Sequence, residues 1–173
     1  MKLISFDIEI SKILLEFSGN LFDHAPLGIS CAAVAHDEVK FWQAVPQLSR
    51  EENQEMVREL MAYAKDGYTF MTWNGCGFDF RLLAEESGMV EECGALALNH
   101  VDLMLLVTFK KGWFLGLDKA LKGAGIAGKV HELELKNGDI LHDMNGGLAP
   151  KLWADGEHDA VLTYLRGDVE QTL

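Results

Sequence analysis

Residues 2–10, KLISFDIEI, alternate with a period of two: Ile4, Phe6, Ile8 and Ile10 fall on one face, and Leu3, Ser5, Asp7 and Glu9 on the other. That alternation belongs to a β-strand. Asp7 and Glu9 project from the same face about 7 Å apart, the distance of two strand rises. Two carboxylates side by side at the end of an otherwise apolar strand repel each other and are costly to desolvate unless a cation neutralises them. The pair therefore points to a hard-metal site at the end of the first strand, although D-x-E alone also suits an exposed strand end.

The chain that follows places strands first and helices later. Leu27 to Ala35 and Val39 to Val45 are strand-like runs separated by the polar His36-Asp37-Glu38, which predicts a hairpin. Ser49 and Glu52 form a capping-box pattern ahead of Met56, Leu60 and Ala64 at helical spacing, and Gly67 stops that helix. Tyr68 to Trp73 reads as a fourth strand. It breaks at Asn74-Gly75-Cys76-Gly77, and a helix begins near Phe78 and ends at Gly88. Beyond Asp102, itself read as an N-cap, the sequence is helical and loop-like, with a short strand expected near Lys136 to Leu141 and a last helix from about Glu157. No repeat, low-complexity tract or linker divides the 173 residues, so one α/β domain is expected. The chain stops at Leu173 without a helix stop signal, as a piece of a longer protein would.

Charge and cysteine content narrow the setting. No apolar run approaches the length of a membrane span, and Met1 leads into Leu3, Ile4 and Phe6 without a leader pattern, which points to a cytoplasmic protein. Cys31, Cys76 and Cys93 are odd in number and lack CxxC pairing, so they read as reduced thiols. The net charge of −12 is the wrong sign for a chain that grips phosphate with basic residues alone. Its distribution is uneven. Between Thr108 and Lys151, seven lysines (Lys110, Lys111, Lys119, Lys122, Lys129, Lys136 and Lys151) face five acids, net +2, while the remainder carries net −14. An acidic site that binds divalent cations can bridge to phosphate in spite of the overall charge.

Two further acids stand in settings that match the first pair. Asp79 follows a strand, a glycine-rich turn and Phe78, at the carboxyl end of a strand where open α/β sheets bind ligands; capping the next helix is the plain alternative. On the last helix Tyr164 and Asp168 are four apart and share a face, beside the apolar stripe of Val161 and Leu165. Singly each is ordinary. In order, D-x-E on the first strand, N-x-x-x-F-D after a later strand and Y-x-x-x-D on the final helix are a specific combination. The sequence resembles the DEDD superfamily of 3′→5′ exonucleases in its tyrosine-containing branch, which includes the proofreading domains of family A and family B DNA polymerases. The motifs run from Asp7 to Asp168 and so cover nearly the whole chain. The histidine branch would need His five residues before the last acid, where this chain has Thr163; His158 is ten residues away, about 15 Å of helix. Where the family often has threonine after the first glutamate, this chain has Ile10 and Ser11.

The resemblance implies a ribonuclease H-like fold: a central mixed sheet, its first three strands an antiparallel meander and later strands parallel to the first, flanked by helices. It implies two Mg²⁺ or Mn²⁺ ions held by Asp7, Glu9, Asp79 and Asp168, with Asp79 acting through water, and hydrolysis of the terminal phosphodiester of DNA or RNA to nucleoside 5′-monophosphates. Tyr164, a weak base at neutral pH, would orient the attacking water. Asn74 and Phe78 are expected substrate contacts, and Lys110, Lys111 and Trp113 suit a single-stranded 3′ end. Most other tryptophans read as packing. Two rivals stand beside this reading: a catalytically silent interaction module of the same fold, and a magnesium phosphohydrolase of small phosphate esters, whose expected later Thr or Ser and Lys are not recognisable here.

Overall fold

The computed structural model describes residues 1–14 and 19–173. A five-stranded sheet is built from β1 (Lys2–Ile10), β2 (Ile29–Ala35), β3 (Val39–Gln43), β4 (Tyr68–Thr72) and β5 (Val101–Asp102), in the order β3-β2-β1-β4-β5. β1 pairs antiparallel with β2 and parallel with β4; β2 pairs antiparallel with β3, and β4 parallel with β5. This is the mixed sheet expected from the resemblance, with β1 at its centre.

Helices cover both faces of β1, so the strand has no solvent side. Ile4, Phe6 and Ile8 pack with α1 (Arg50–Lys65), α2 (Asp79–Ser87) and α3 (Val90–Leu98). Each such side chain contributes roughly 1.5–3 kcal/mol by leaving water. Phe6 stacks on Phe80 at 5.6 Å between ring centroids. α1 opens with the capping box foreseen in the sequence: the Glu52 amide donates to the Ser49 hydroxyl, and the Ser49 amide donates to the Glu52 carboxylate. The opposite face of the sheet meets α7 (His158–Thr172), whose Val161, Leu165 and Val169 form a second core with Cys31 and Ala33 of β2. The small side chains of β2 let α7 approach closely, and the Ser5 hydroxyl donates to the Val169 carbonyl at 2.6 Å.

Between α3 and α7 along the chain come α4 (Leu103–Lys111), α5 (Leu117–Gly123), a hairpin of β6 (Leu133–Glu134) and β7 (Ile140–Leu141), and α6 (Ala149–Ala154). Of the short strand expected over Lys136 to Leu141, the last two residues are extended, as β7, and the rest is not. Residues 135–139 are the hairpin's turn, closed by Leu135 N–H to the Asp139 carbonyl at 2.9 Å and Gly138 N–H to the Leu135 carbonyl at 2.8 Å, with strands on either side. Asn137-Gly138 is a hairpin-turn pair, and that signal outweighs the apolar content after it. Cys31 and Cys93 are buried free thiols, and Cys76 is exposed. Among the described residues no helix is long and apolar enough to cross a membrane.

Candidate active site

β1 delivers Asp7 and Glu9 to the face covered by α7. Its pairing with β2 slips between Glu9 and Ile10, and the Ser30 hydroxyl fills the gap by donating to the carbonyls of Glu9 and Ile10, both at 3.1 Å. Such a bulge re-aims the strand end, a frequent device beside functional sites. On the other side, β4 accompanies β1 only as far as Ser5, opposite Met71. Past that point the Ile8 N–H donates to Asp79 Oδ1 at 3.1 Å, so the first residue of α2 is fastened against β1 between the two acids.

The turn that presents Asp79 is held from outside the site. Asn74 takes a positive φ of 70°, and the Asp102 carboxylate accepts the N–H groups of Asn74 at 3.1 Å and Cys76 at 3.2 Å. Asp102 also caps α4 through Met104 N–H and Leu105 N–H, so its reading as an N-cap is correct but incomplete. Gly75 N–H donates to the Thr72 hydroxyl at 3.0 Å, and a Cβ on Gly75 would stand 2.2 Å from that oxygen.

α7 supplies Tyr164 and Asp168, both buried. A residue that sequence reasoning gave no individual role joins them: Lys129, whose Nζ lies 2.5 Å from Asp168 Oδ2 and 4.4 Å from the centre of the Tyr164 ring. Lys129 is held at its backbone, where its N–H donates to Asp118 Oδ1 at 3.1 Å and the neighbouring Gly128 carbonyl accepts from Gln171 Nε2 at 2.9 Å. Gly167 makes room for this segment, since a Cβ there would lie 2.8 Å from Val130 Cγ2.

One carboxylate oxygen each from Asp7, Glu9 and Asp168 lies within 4.8 Å of the other two, the single such group among the described residues. Asp79 sits behind Asp7, fully buried and outside the cavity lining. Burial first, and then the charges of Asp79 and Asp168, push Asp7 well above the ordinary carboxylate range, with Lys129 opposing. Glu9 is raised by burial and by Asp7 and Asp168. Asp79 is pushed up to about 7 by burial, against backbone hydrogen bonds that favour its charge. Asp168 is raised by burial despite its bonds to Lys129 and Tyr164. Tyr164 is held neutral, above its usual value, by burial and by Asp168. Burial acts against the charge of Lys129, but Asp168 outweighs it and keeps the ammonium protonated.

These residues fit divalent cations. Asp79 Oδ2 and Asp168 Oδ1 are buried without hydrogen-bond partners, and orphaned carboxylate oxygens on and behind a group of three converging acids are the donor set a hard cation satisfies. Lys129 neutralises part of the excess charge from one side.

The acids form one side of a cavity of about 400 Å³, within the range of small-ligand pockets. Ile10, Leu14, Leu21, Trp73 and Phe78 contribute apolar surface to its lining. Phe78 is thus in the cavity, whereas Asn74 is not among its lining residues and serves the turn. Lys110, Lys111 and Trp113 are exposed on and after α4, outside the cavity. Ile10, at the position of the family's threonine, adds apolar surface, while Ser11 turns away to bond Gln47 Oε1 at 2.7 Å.

The chain matches the sequence profile described as the RNase H superfamily over residues 6–171. No curated protein matches it in sequence. Among solved structures it is similar to the family B DNA polymerase from the hyperthermophilic archaeon Pyrobaculum calidifontis, at 16% identity and a TM-score of 0.67, covering 98% of this chain and 23% of that one. At that identity the likeness is one of fold, and the chain spans under a quarter of the polymerase's length.

Proposed function

The chain belongs to the RNase H superfamily, and on that footing we propose that it is a divalent-metal-dependent 3′→5′ exonuclease of the tyrosine-containing DEDD branch, acting on DNA or RNA. Family membership supports nuclease-type activity in general. The observation that carries the finer reading is the convergence of Asp7, Glu9 and Asp168 within 4.8 Å, backed by Asp79 and flanked by Tyr164, in the motif order of that branch. A cavity of about 400 Å³ suits one terminal nucleotide better than a strand passing through, which favours attack at an end. The 3′ polarity rests on the motif order.

Asp7, Glu9 and Asp168 would hold Mg²⁺ or Mn²⁺, with Asp79 supporting a second ion through water. When bound, the ions supply activation of the attacking water and stabilisation of the leaving 3′-oxygen. The chain's own residues do the rest. Tyr164, kept neutral by its surroundings, donates a hydrogen bond that orients the water, and is not the base. Lys129 holds Asp168 in place and offers positive charge at the phosphate's side of the cavity. Leu21 and Phe78 pack against the sugar and base and exclude solvent, and Asn74 positions the turn that carries Phe78 and Asp79.

The test is incubation of 3′-labelled single-stranded DNA and RNA with Mg²⁺ or Mn²⁺. Labelled mononucleotide is expected as the first product, and Asp7→Ala should abolish it. Intact oligonucleotides with phosphate released from a small ester would favour the phosphohydrolase, and no turnover of either would favour the silent module.

A further inference from the structure

Asp118 follows Leu117, which lines the cavity, but is not itself part of that lining. An acid in the first turn of a helix, as Asp118 is in α5, ordinarily serves to meet the helix's positive end. Here the carboxylate is engaged by residues 11 and 13 positions further on: Oδ1 accepts the Lys129 N–H at 3.1 Å and lies 2.9 Å from His131 Nε2. Oδ2 accepts from Lys122 Nζ at 2.8 Å. Hydrogen bonds from Lys122 and then His131 hold the carboxyl down at about 2. An ionised carboxylate only accepts, so the imidazole Nε2 is the donor of its bond.

The segment held in this way has no helix or strand to define it. Residues 127–132 belong to neither, so bonds from side chains fix backbone that ladder bonds would otherwise fix. Gly128 permits the approach of α5, since a Cβ there would stand 2.3 Å from Asp118 Oδ1. On the other flank the segment rests on α7, where Gln171 Nε2 donates to the Gly128 carbonyl at 2.9 Å and Gly167 leaves room for Val130. Gly167 and Gln171 stand on either side of Asp168 along that helix. From this clamped backbone the Lys129 stem reaches Asp168, with Nζ 2.5 Å from Oδ2 and 4.4 Å from the centre of the Tyr164 ring. A lysine stem is flexible, so the place of its ammonium is set by where its backbone is held.

We infer that Asp118 is a positioning residue for the reaction: by accepting from Lys129 and His131 it fixes the segment that delivers the Lys129 ammonium to Asp168. Its effect on turnover rests on the nuclease reading, whereas the placement of the ammonium does not.

The experiment compares Asp118→Ala, Asp118→Asn and Lys129→Met with wild type by two readouts. The first is kcat for mononucleotide release from a 3′-labelled oligonucleotide in Mg²⁺. Asp118→Ala should lower it on the order of ten- to a hundredfold, the scale of a small misplacement transmitted from outside the site. Asp118→Asn keeps the accepting oxygen and loses only an exposed ion pair with Lys122, so it should stay within about threefold of wild type. In the Lys129→Met background Asp118→Ala should cost less than about twofold more, because its effect passes through the lysine. The second readout is heteronuclear NMR of the lysine ammonium groups in EDTA, where the Lys129 signal is identified by its loss in Lys129→Met. That signal should be present in wild type and Asp118→Asn and lost in Asp118→Ala. Gly128→Ala keeps the carboxylate but drives it off the segment, should reproduce both losses, and stands in where Asp118→Ala does not fold. A Lys129 signal absent from wild type, or unchanged in Asp118→Ala or Gly128→Ala, overturns the inference. So do an Asp118→Asn variant as impaired as Asp118→Ala, and effects of Asp118→Ala and Lys129→Met that multiply. If wild type releases no nucleotide, the nuclease reading fails and the ammonium signal alone decides whether Asp118 places Lys129.

Discussion

Replacing Lys129 with methionine removes the ammonium bonded to Asp168 while keeping much of the stem's volume. The pair is close, at 2.5 Å, and sheltered, with the lysine side chain 20% exposed and the aspartate 5%. Removing one partner of a buried pair costs about 3–5 kcal/mol, because the other charge is left without compensation. Partial exposure of Lys129, and the ability of the acids to take up protons instead, reduce this to about 2–3 kcal/mol. For a chain of 173 residues, each kcal/mol moves Tm by about 2–4 °C, so Tm should fall by about 4–12 °C at pH 7.5 in EDTA, measured by circular dichroism. The loss depends on pH with a fixed sign. The acids have raised folded pKa values, so at pH 5 more of them carry protons, there is less negative charge for Lys129 to neutralise, and the gap should shrink. Saturating Mg²⁺ should shrink it as well, by supplying cations to the same carboxylates. A Tm within about 1 °C of wild type at pH 7.5 in EDTA, or a gap that is the same at pH 5, would refute the role assigned to Lys129.

Wild type in EDTA should lose stability as pH rises from about 4 to about 7: Asp79 has a folded pKa of about 7 against about 3.9 unfolded, so the folded state binds the extra proton and its contribution is lost across that window. Adding Mg²⁺ should reverse the slope, which a Tm series with and without metal reads directly. Tyr164→Phe removes one orienting hydrogen bond and should lower kcat by about ten- to a hundredfold while KM and metal affinity change little, checked by steady-state kinetics and metal titration. Gly75→Ala should destabilise the β4–α2 turn by about 1–3 kcal/mol, because its Cβ would meet the Thr72 hydroxyl at 2.2 Å; denaturant unfolding measures it, and nuclease activity should fall with the displacement of Asp79.

The sequence was most legible where a single period or cap governs a segment. Alternation placed β1 at its observed bounds, Ser49 and Glu52 announced α1, and the four-residue spacing of Tyr164 and Asp168 put both on the buried face of α7. It was least legible where tertiary contact decides. α3 starts at Val90 with no side-chain cap, one residue beyond the left-handed Gly88, and β5 has two residues that count as a strand only because β4 lies beside them. Lys129 reads as one of seven lysines in a glycine-punctuated stretch, and nothing local to it foretells Asp168, 39 positions on; the link is made by Asp118 and Gln171 holding its backbone. Asp79 shows the same limit in milder form. Its place after a strand and turn is visible, but its burial behind Asp7 follows from β4 ending early and leaving the Ile8 N–H to be satisfied.

On the proposed function, Asp7, Glu9 and Asp168 form a divalent-metal site backed by Asp79. A crystal soaked with Mn²⁺ and a nucleoside 5′-monophosphate tests it through anomalous scattering. Two peaks about 4 Å apart, one among those three carboxylates and one on the Asp7 side toward Asp79, with the nucleotide's phosphate against them, are the predicted result. No peak at the acids, with Lys129 still bonded to Asp168, or manganese bound only elsewhere on the acidic surface, would contradict it.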